Sequence, residues 1–219
     1  MSFLSKWFGK KDYNKYGDVL KNPRASKDQR QEALQVLAKI DPSLAIPQLL
    51  KRFELVTDSG LVDTKEKEQC LKIILEHGDI AKPFLKEAIH TKPRLSWLLK
   101  AAEQLYPTSE YVSLLLENLR LETEGFDEEA QDRNVDLLLA LRETTDDRVA
   151  SQVVPFLHSR KEDVRMAALE CLEEQGQHSS QAKDFILKIL NEAKDESDAR
   201  FLGTMKSIAI RHQWISENH

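Results

Sequence analysis

Asp28, Arg30, Ala33, Leu34 and Leu37 reappear, at one constant offset, as Asp163, Arg165, Ala168, Leu169 and Leu172. The later copy lies within Glu162-Asp163-Val164-Arg165-Met166-Ala167-Ala168-Leu169-Glu170-Cys171-Leu172. At 3.6 residues per turn, Val164, Ala168, Leu169, Cys171 and Leu172 fall along one broad apolar stripe. The small pair Ala167 and Ala168 would let a second helix approach closely, because no long side chain separates the backbones. Asp163 near the start of the helix suits its exposed amides and the positive end of its dipole. A looser copy runs through Asp132, Leu137, Leu138 and Leu141, and a degraded one begins at Asp198, Ala199 and Arg200, with Gly203 in place of the small alanine. Recurrence at a period in the thirties predicts stacked units, each burying its apolar face against its neighbours.

On these residues the chain resembles the HEAT-repeat family, whose first helix often carries a D-V-R start and a small residue before a leucine. Pro47-Gln48-Leu49-Leu50, Pro83-Phe84-Leu85 and Pro155-Phe156-Leu157 also resemble the proline-containing second helices of that family. The resemblance implies an all-α fold, a right-handed α–α superhelix of about five helix pairs plus a terminal capping helix. For function it implies a general scaffold, since the family serves many roles.

Periodicity and breakers divide the chain into a basic, aromatic segment or cap at 1–26 and a helical-repeat domain at 27–219. Within 1–26, the stretch 13–25 reads as an irregular cap or a short helix. The predicted pairs are 27–40 with 43–56, 65–77 with 80–90, 94–106 with 109–121, 128–142 with 148–158 and 161–174 with 180–191, followed by a last helix at 198–211. Pro42 is well placed near a helix start, and Gly78 gives a stop. Ile40 is expected to face inward, as are Ile80, Phe84, Leu85, Ala88 and Ile89. Pro155 conflicts with an uninterrupted helix and predicts a kink or a late start. The stretch 57–64 reads as a long polar connection able to face a partner.

No residue constellation announces chemistry. His77, His90 and His158 fall near predicted helix ends, where histidine can meet terminal carbonyls, and the six histidines form no zinc-ligand series. Cys70 and Cys171 lie in apolar helical patterns and read as buried free thiols. There is no G-x-S-x-G elbow, no G-x-G-x-x-G and no phosphate-binding loop. No catalytic residue, cofactor or metal is therefore expected, and the chain is read as a non-enzyme.

Charge placement narrows the partners. The net charge is −5, yet residues 1–24 carry six basic and two acidic side chains, leaving −9 on the remainder. From Glu122 through Asp147, ten acidic residues face only Arg133 and Arg142, a band that would repel a phosphate backbone. Nucleic acid is thus an unfavoured partner, and a basic-faced DNA-glycosylase-like repeat protein is a remote alternative, as is a bilin-lyase-like enzyme. The favoured reading is a non-catalytic scaffold or adaptor that binds another protein or a peptide. Asp132, Asp136 and Asp147 are its candidate polar contacts, and Trp97 and Tyr106 its candidate aromatic anchors. For Trp97 and Tyr106, aromatic packing in the core or at its edge is favoured over a dedicated ligand site. Phe3, Leu4, Trp7 and Phe8 would share one side of a short helix beside Lys6, Lys10 and Lys11. Capping the first repeat is the favoured role of that segment, ahead of weak membrane contact and of a mobile tail or partner-binding peptide; membrane contact gives a peripheral membrane adaptor as the alternative. No apolar run is long enough to span a bilayer and no secretory signal is visible, so a cytoplasmic protein, free or membrane-associated, is expected.

Overall fold

A computed structural model describes residues 12–121, 127–192 and 199–216. Among them every regular element is helical: twelve α-helices and three short 3-10 segments, with no strand. No helix there is long and apolar enough to cross a membrane. The chain divides into two compact units, Met1–Tyr106 and Pro107–His219.

The first unit holds α1 (Asn14–Lys21), α2 (Lys27–Leu37), α3 (Pro42–Leu50), α4 (Gly60–Glu76), α5 (Lys82–Thr91) and α6 (Ser96–Leu105). Helix α2 packs on α4 and α4 on α6, while α1 packs on α3 and α3 on α5, so the unit has two interleaved layers. Local chemistry sets the boundaries. Ser26 caps α2 by accepting from the Gln29 amide, and the Gln29 side chain accepts from the Ser26 amide in return. Asp41 caps α3 by accepting from the Ser43 amide, with Pro42 in the first turn where a missing N–H costs least. Gly78, at φ +52°, follows the end of α4 in the left-handed conformation that glycine adopts freely. Helix α1 belongs to the fold: Gly17 is buried against α3, and a Cβ there would meet Gln48 Oε1 at 2.4 Å and Lys51 Cδ at 2.9 Å.

Three details depart from the sequence reading. Helix α4 begins at Gly60 rather than near 65, so most of the expected 57–64 loop is helix, and Asp63 in its first turn is tied inward. Ile80 is exposed, because Gly78–Ala81 is a 3-10 turn whose three-residue repeat rotates Ile80 off the stripe continued by Leu85, Ala88 and Ile89. Ile40 is only half-buried, since α2 ends at Leu37.

The interior of this unit contains charge. Arg52 is fully buried and donates to Glu66 Oε2 at 3.0 Å, to Asp63 Oδ1 at 2.8 Å and to the Leu55 carbonyl at 3.0 Å. Arg30 donates to the same Glu66 oxygen at 2.8 Å and to the Ala25 carbonyl. Lys67 Nζ lies 2.7 Å from Asp63 Oδ2. Five buried charges thus link α2, the 3-10 segment after α3 and the first half of α4. Burial pushes the Asp63 carboxyl up, but hydrogen bonds from Lys67, Arg52 and the Thr57 amide outweigh it and hold the group below its ordinary value. A depressed folded value contributes stability above the unfolded pKa of ~3.9, lost as pH falls through the folded value. In a background where Trp97 is the sole tryptophan, the urea midpoint followed by its fluorescence, from a ring stacked 5.9 Å from Phe53 in this unit, should therefore fall as pH drops below about 4. Asp63→Asn should flatten that drop, and an unchanged slope would reject the assignment.

The second unit holds α7 (Thr108–Asn118), α8 (Glu128–Arg142), α9 (Asp147–Val153), α10 (Glu162–Gly176), α11 (Ser180–Glu192) and α12 (Ala199–Arg211). Helices α8, α10 and α12 form one layer, and α7, α9 and α11 the other. Pro155 is accommodated because α9 stops at Val153 and the chain continues as the 3-10 segment Val154–His158. The Asn134 side chain accepts from the Arg120 amide and donates to its carbonyl, fixing the chain after α7 against α8. Val164, Ala168, Leu169, Cys171 and Leu172 of the recurring motif are all fully buried. Its arginine has a structural task in both copies: Arg165 donates to the Ser159 and Arg160 carbonyls, as Arg30 does to Ala25, holding the turn that precedes its helix.

Candidate functional site

In the second unit, the layer of α8, α10 and α12 encloses an open groove of about 550 Å³. Met166 and Leu169 of α10 and Ile208 of α12 supply its apolar floor. Glu170, Glu173 and Glu174 follow Met166 at helical spacing, so they line up along the same side of α10. Arg142 and Glu143, at the end of α8, form one wall, and Thr204 and Arg211 of α12 form the other.

Each wall fixes one glutamate. Arg142 donates to Glu170 Oε2 at 2.7 Å and to Glu143 Oε1 at 2.8 and 2.9 Å. Those bonds, the one to Glu143 foremost, hold the guanidinium above its ordinary pKa. Arg211 donates to Glu173 Oε1 at 3.0 Å, and His212 Nε2 lies 2.7 Å from the same oxygen. Glu174 Oε2 accepts from the Gln177 side chain at 2.8 Å. Glu170 Oε1 and Glu173 Oε2 therefore remain without a partner among the described residues, although the Glu173 side chain is only 14% exposed. Four carboxylates against two guanidiniums leave the groove a formal −2.

The turn after α12 steadies that wall. Gln213 adopts φ +58°, the left-handed turn that closes α12, and the Trp214 amide donates to the Ala209 carbonyl at 2.8 Å. The turn lays Trp214 over Gly176, where a Cβ would come within 2.6 Å of the indole. Trp214 in turn stacks on His212 at 5.2 Å, which orients the imidazole toward Glu173.

The residues named from sequence are dispersed. Trp97 is half-buried on α6, stacked on Phe53 with Lys100 Nζ 4.8 Å above the ring. Tyr106 is half-buried, and its hydroxyl donates to the Lys82 carbonyl at 2.8 Å. Asp132 is exposed on the first half of α8 and paired with Lys161. Asp136 lies one turn further on and is half-buried, whereas Asp147 is exposed at the start of α9. From Asp132 to the end of α8 is about 15 Å of helix, so Asp132 and Asp147 do not meet at one point. Phe3, Leu4, Trp7 and Phe8 lie outside the described residues. Arg142, Glu170, Glu173, Glu174 and Arg211 were not singled out from sequence. The available signal was the run of glutamates at i, i+3 and i+4, which continues the side of α10 that carries Met166.

Neither thiol is placed for nucleophilic work: burial pushes Cys70 and Cys171 up to about 12. Among the described residues, no cluster of three or more His, Cys, Asp or Glu side chains could hold a metal ion.

No family model matches the chain, and no curated protein matches it. The crystal structure of an engineered protein, a target of the Northeast Structural Genomics Consortium, is similar to it at 16% identity with a TM-score of 0.48, over 92% of this chain and 96% of the other. A likeness of that degree assigns neither family nor function.

Proposed function

We propose that this chain is a non-catalytic protein-binding scaffold whose units are HEAT-like helical repeats, and that it engages its partner through the α8–α10–α12 groove. The observation that carries the reading is the groove itself: an apolar floor between walls of fixed ion pairs, open to solvent along one helical layer. Such a surface combines the two requirements of peptide or domain recognition, an apolar contact area and polar groups that set register. The repeat assignment is supported by the packing of each helix on its successor's successor within a unit, and by the shared task of Arg30 and Arg165. The exposed Asp132 and Asp147 would extend the recognition surface beyond the groove, and Trp97 and Tyr106 would provide secondary anchors in the first unit.

Affinity capture from native lysate, followed by mass spectrometry of what remains after a salt wash, tests the scaffold reading. A partner retained in stoichiometric amount is the expected result. Recovery of the chain alone, or turnover of a small molecule by the purified protein, would overturn it.

A further inference from the structure

We propose that the groove receives a basic segment of the partner protein, with arginine or lysine side chains laid along α10; this deepens, and rests on, the scaffold reading above. Charge favours a basic segment. The groove carries a formal −2, so a cationic segment is drawn to it and an anionic one repelled.

The carboxylates of the groove are preorganised. Glu170 and Glu173, one turn apart on α10, are each gripped through a single oxygen, by Arg142 from one wall and by Arg211 with His212 from the other. Their conformations are thus restricted before any ligand arrives, and each retains an oxygen able to accept from a guanidinium or ammonium group. Glu173 is the more informative of the two. It is mostly withdrawn from water, and the arginine that pairs with it is itself 65% exposed, so a further cation would improve its environment.

The shape of the groove suits the same side chains. An arginine or lysine is an apolar stem with a charged head, and the groove offers Met166, Leu169 and Ile208 beneath a line of carboxylates. Stem against floor and head against Glu170 and Glu173 uses both features. An acidic or purely apolar segment would use one at most.

Fluorescence anisotropy with a labelled peptide, Gly-Ala-Arg-Leu-Ala-Arg-Leu-Ala-Gly, provides the test. The peptide should bind the full chain, release with added salt, and fail to bind when its arginines are replaced by glutamate. The double variant Glu170→Gln with Glu173→Gln should weaken binding on the order of tenfold or more. Thr204→Arg, a half-buried wall position, places a competing cation in the groove and should do the same without touching either glutamate. Thermal melts of each variant accompany the titrations; should the double variant unfold, Thr204→Arg decides. Equal affinity of wild type and a folded groove variant, or equal binding of the glutamate peptide, would overturn the inference. The same variants applied to lysate capture separate the two ideas. A partner retained equally by wild type and variants leaves the scaffold standing and removes the groove, whereas no partner for any of them removes the scaffold itself.

Discussion

Glu66→Ala should destabilise the first unit by about 3–5 kcal/mol, because it strands Arg30 and Arg52 in the interior without their shared counter-charge. Both guanidiniums donate to Glu66 Oε2; without it Arg52, fully buried, keeps Asp63, while Arg30 loses its carboxylate. The loss should be read by urea denaturation in a background where Trp97 is the sole tryptophan, which confines the signal to this unit. A control makes the mechanism specific. Replacing Arg30, Arg52 and Glu66 together by apolar residues of similar volume should cost far less than Glu66→Ala, since no charge is then left unpaired. If the triple variant proved as unstable as the single one, lost packing rather than lost charge compensation would be the cause.

That network also marks where the sequence was hardest to read. Asp63, Glu66 and Lys67 look like a hydrated helix face when taken alone. Yet Cys70 and Ile74 continue the same stripe at helical spacing, so extending the core face backward from Cys70 runs directly into Asp63 and Lys67. Charge on a core stripe is a sequence signal for buried pairing, but its partners at 30 and 52 lie on other elements and no local pattern connects them. Elements with strong periodicity and clear caps were legible: 128–142 is the observed Glu128–Arg142, and Asp41-Pro42 opens α3. The expected 57–64 loop was lost to the tie between Asp63, Arg52 and the Thr57 amide, a tertiary interaction that lets α4 begin at a glycine. The groove escaped notice for a related reason: three elements build it, and only the glutamates of α10 share a local register.

Ala168→Leu should cost about 1–3 kcal/mol, and the expected result at the matching position of the last copy, Gly203→Ala, has the opposite sign. Ala168 is fully buried on α10, the helix that packs on α8, α9, α11 and α12, so added methylenes meet neighbours on every side. The sequence pattern equates Gly203 with Ala168, but its surroundings differ. Gly203 is exposed on α12, and a Cβ there would touch nothing within 4 Å. Adding that Cβ costs no space and removes freedom from the unfolded chain, which should stabilise the unit by roughly 0.5–1 kcal/mol. Thermal unfolding of the two variants against their parent, in a background where Trp214 is the sole tryptophan, reads both effects in the second unit. The contrast tests whether the small residue of the motif is there for helix contact. Contact explains Ala168 but not Gly203, so destabilisation by both substitutions would mean that α12 packs more tightly than its open face indicates.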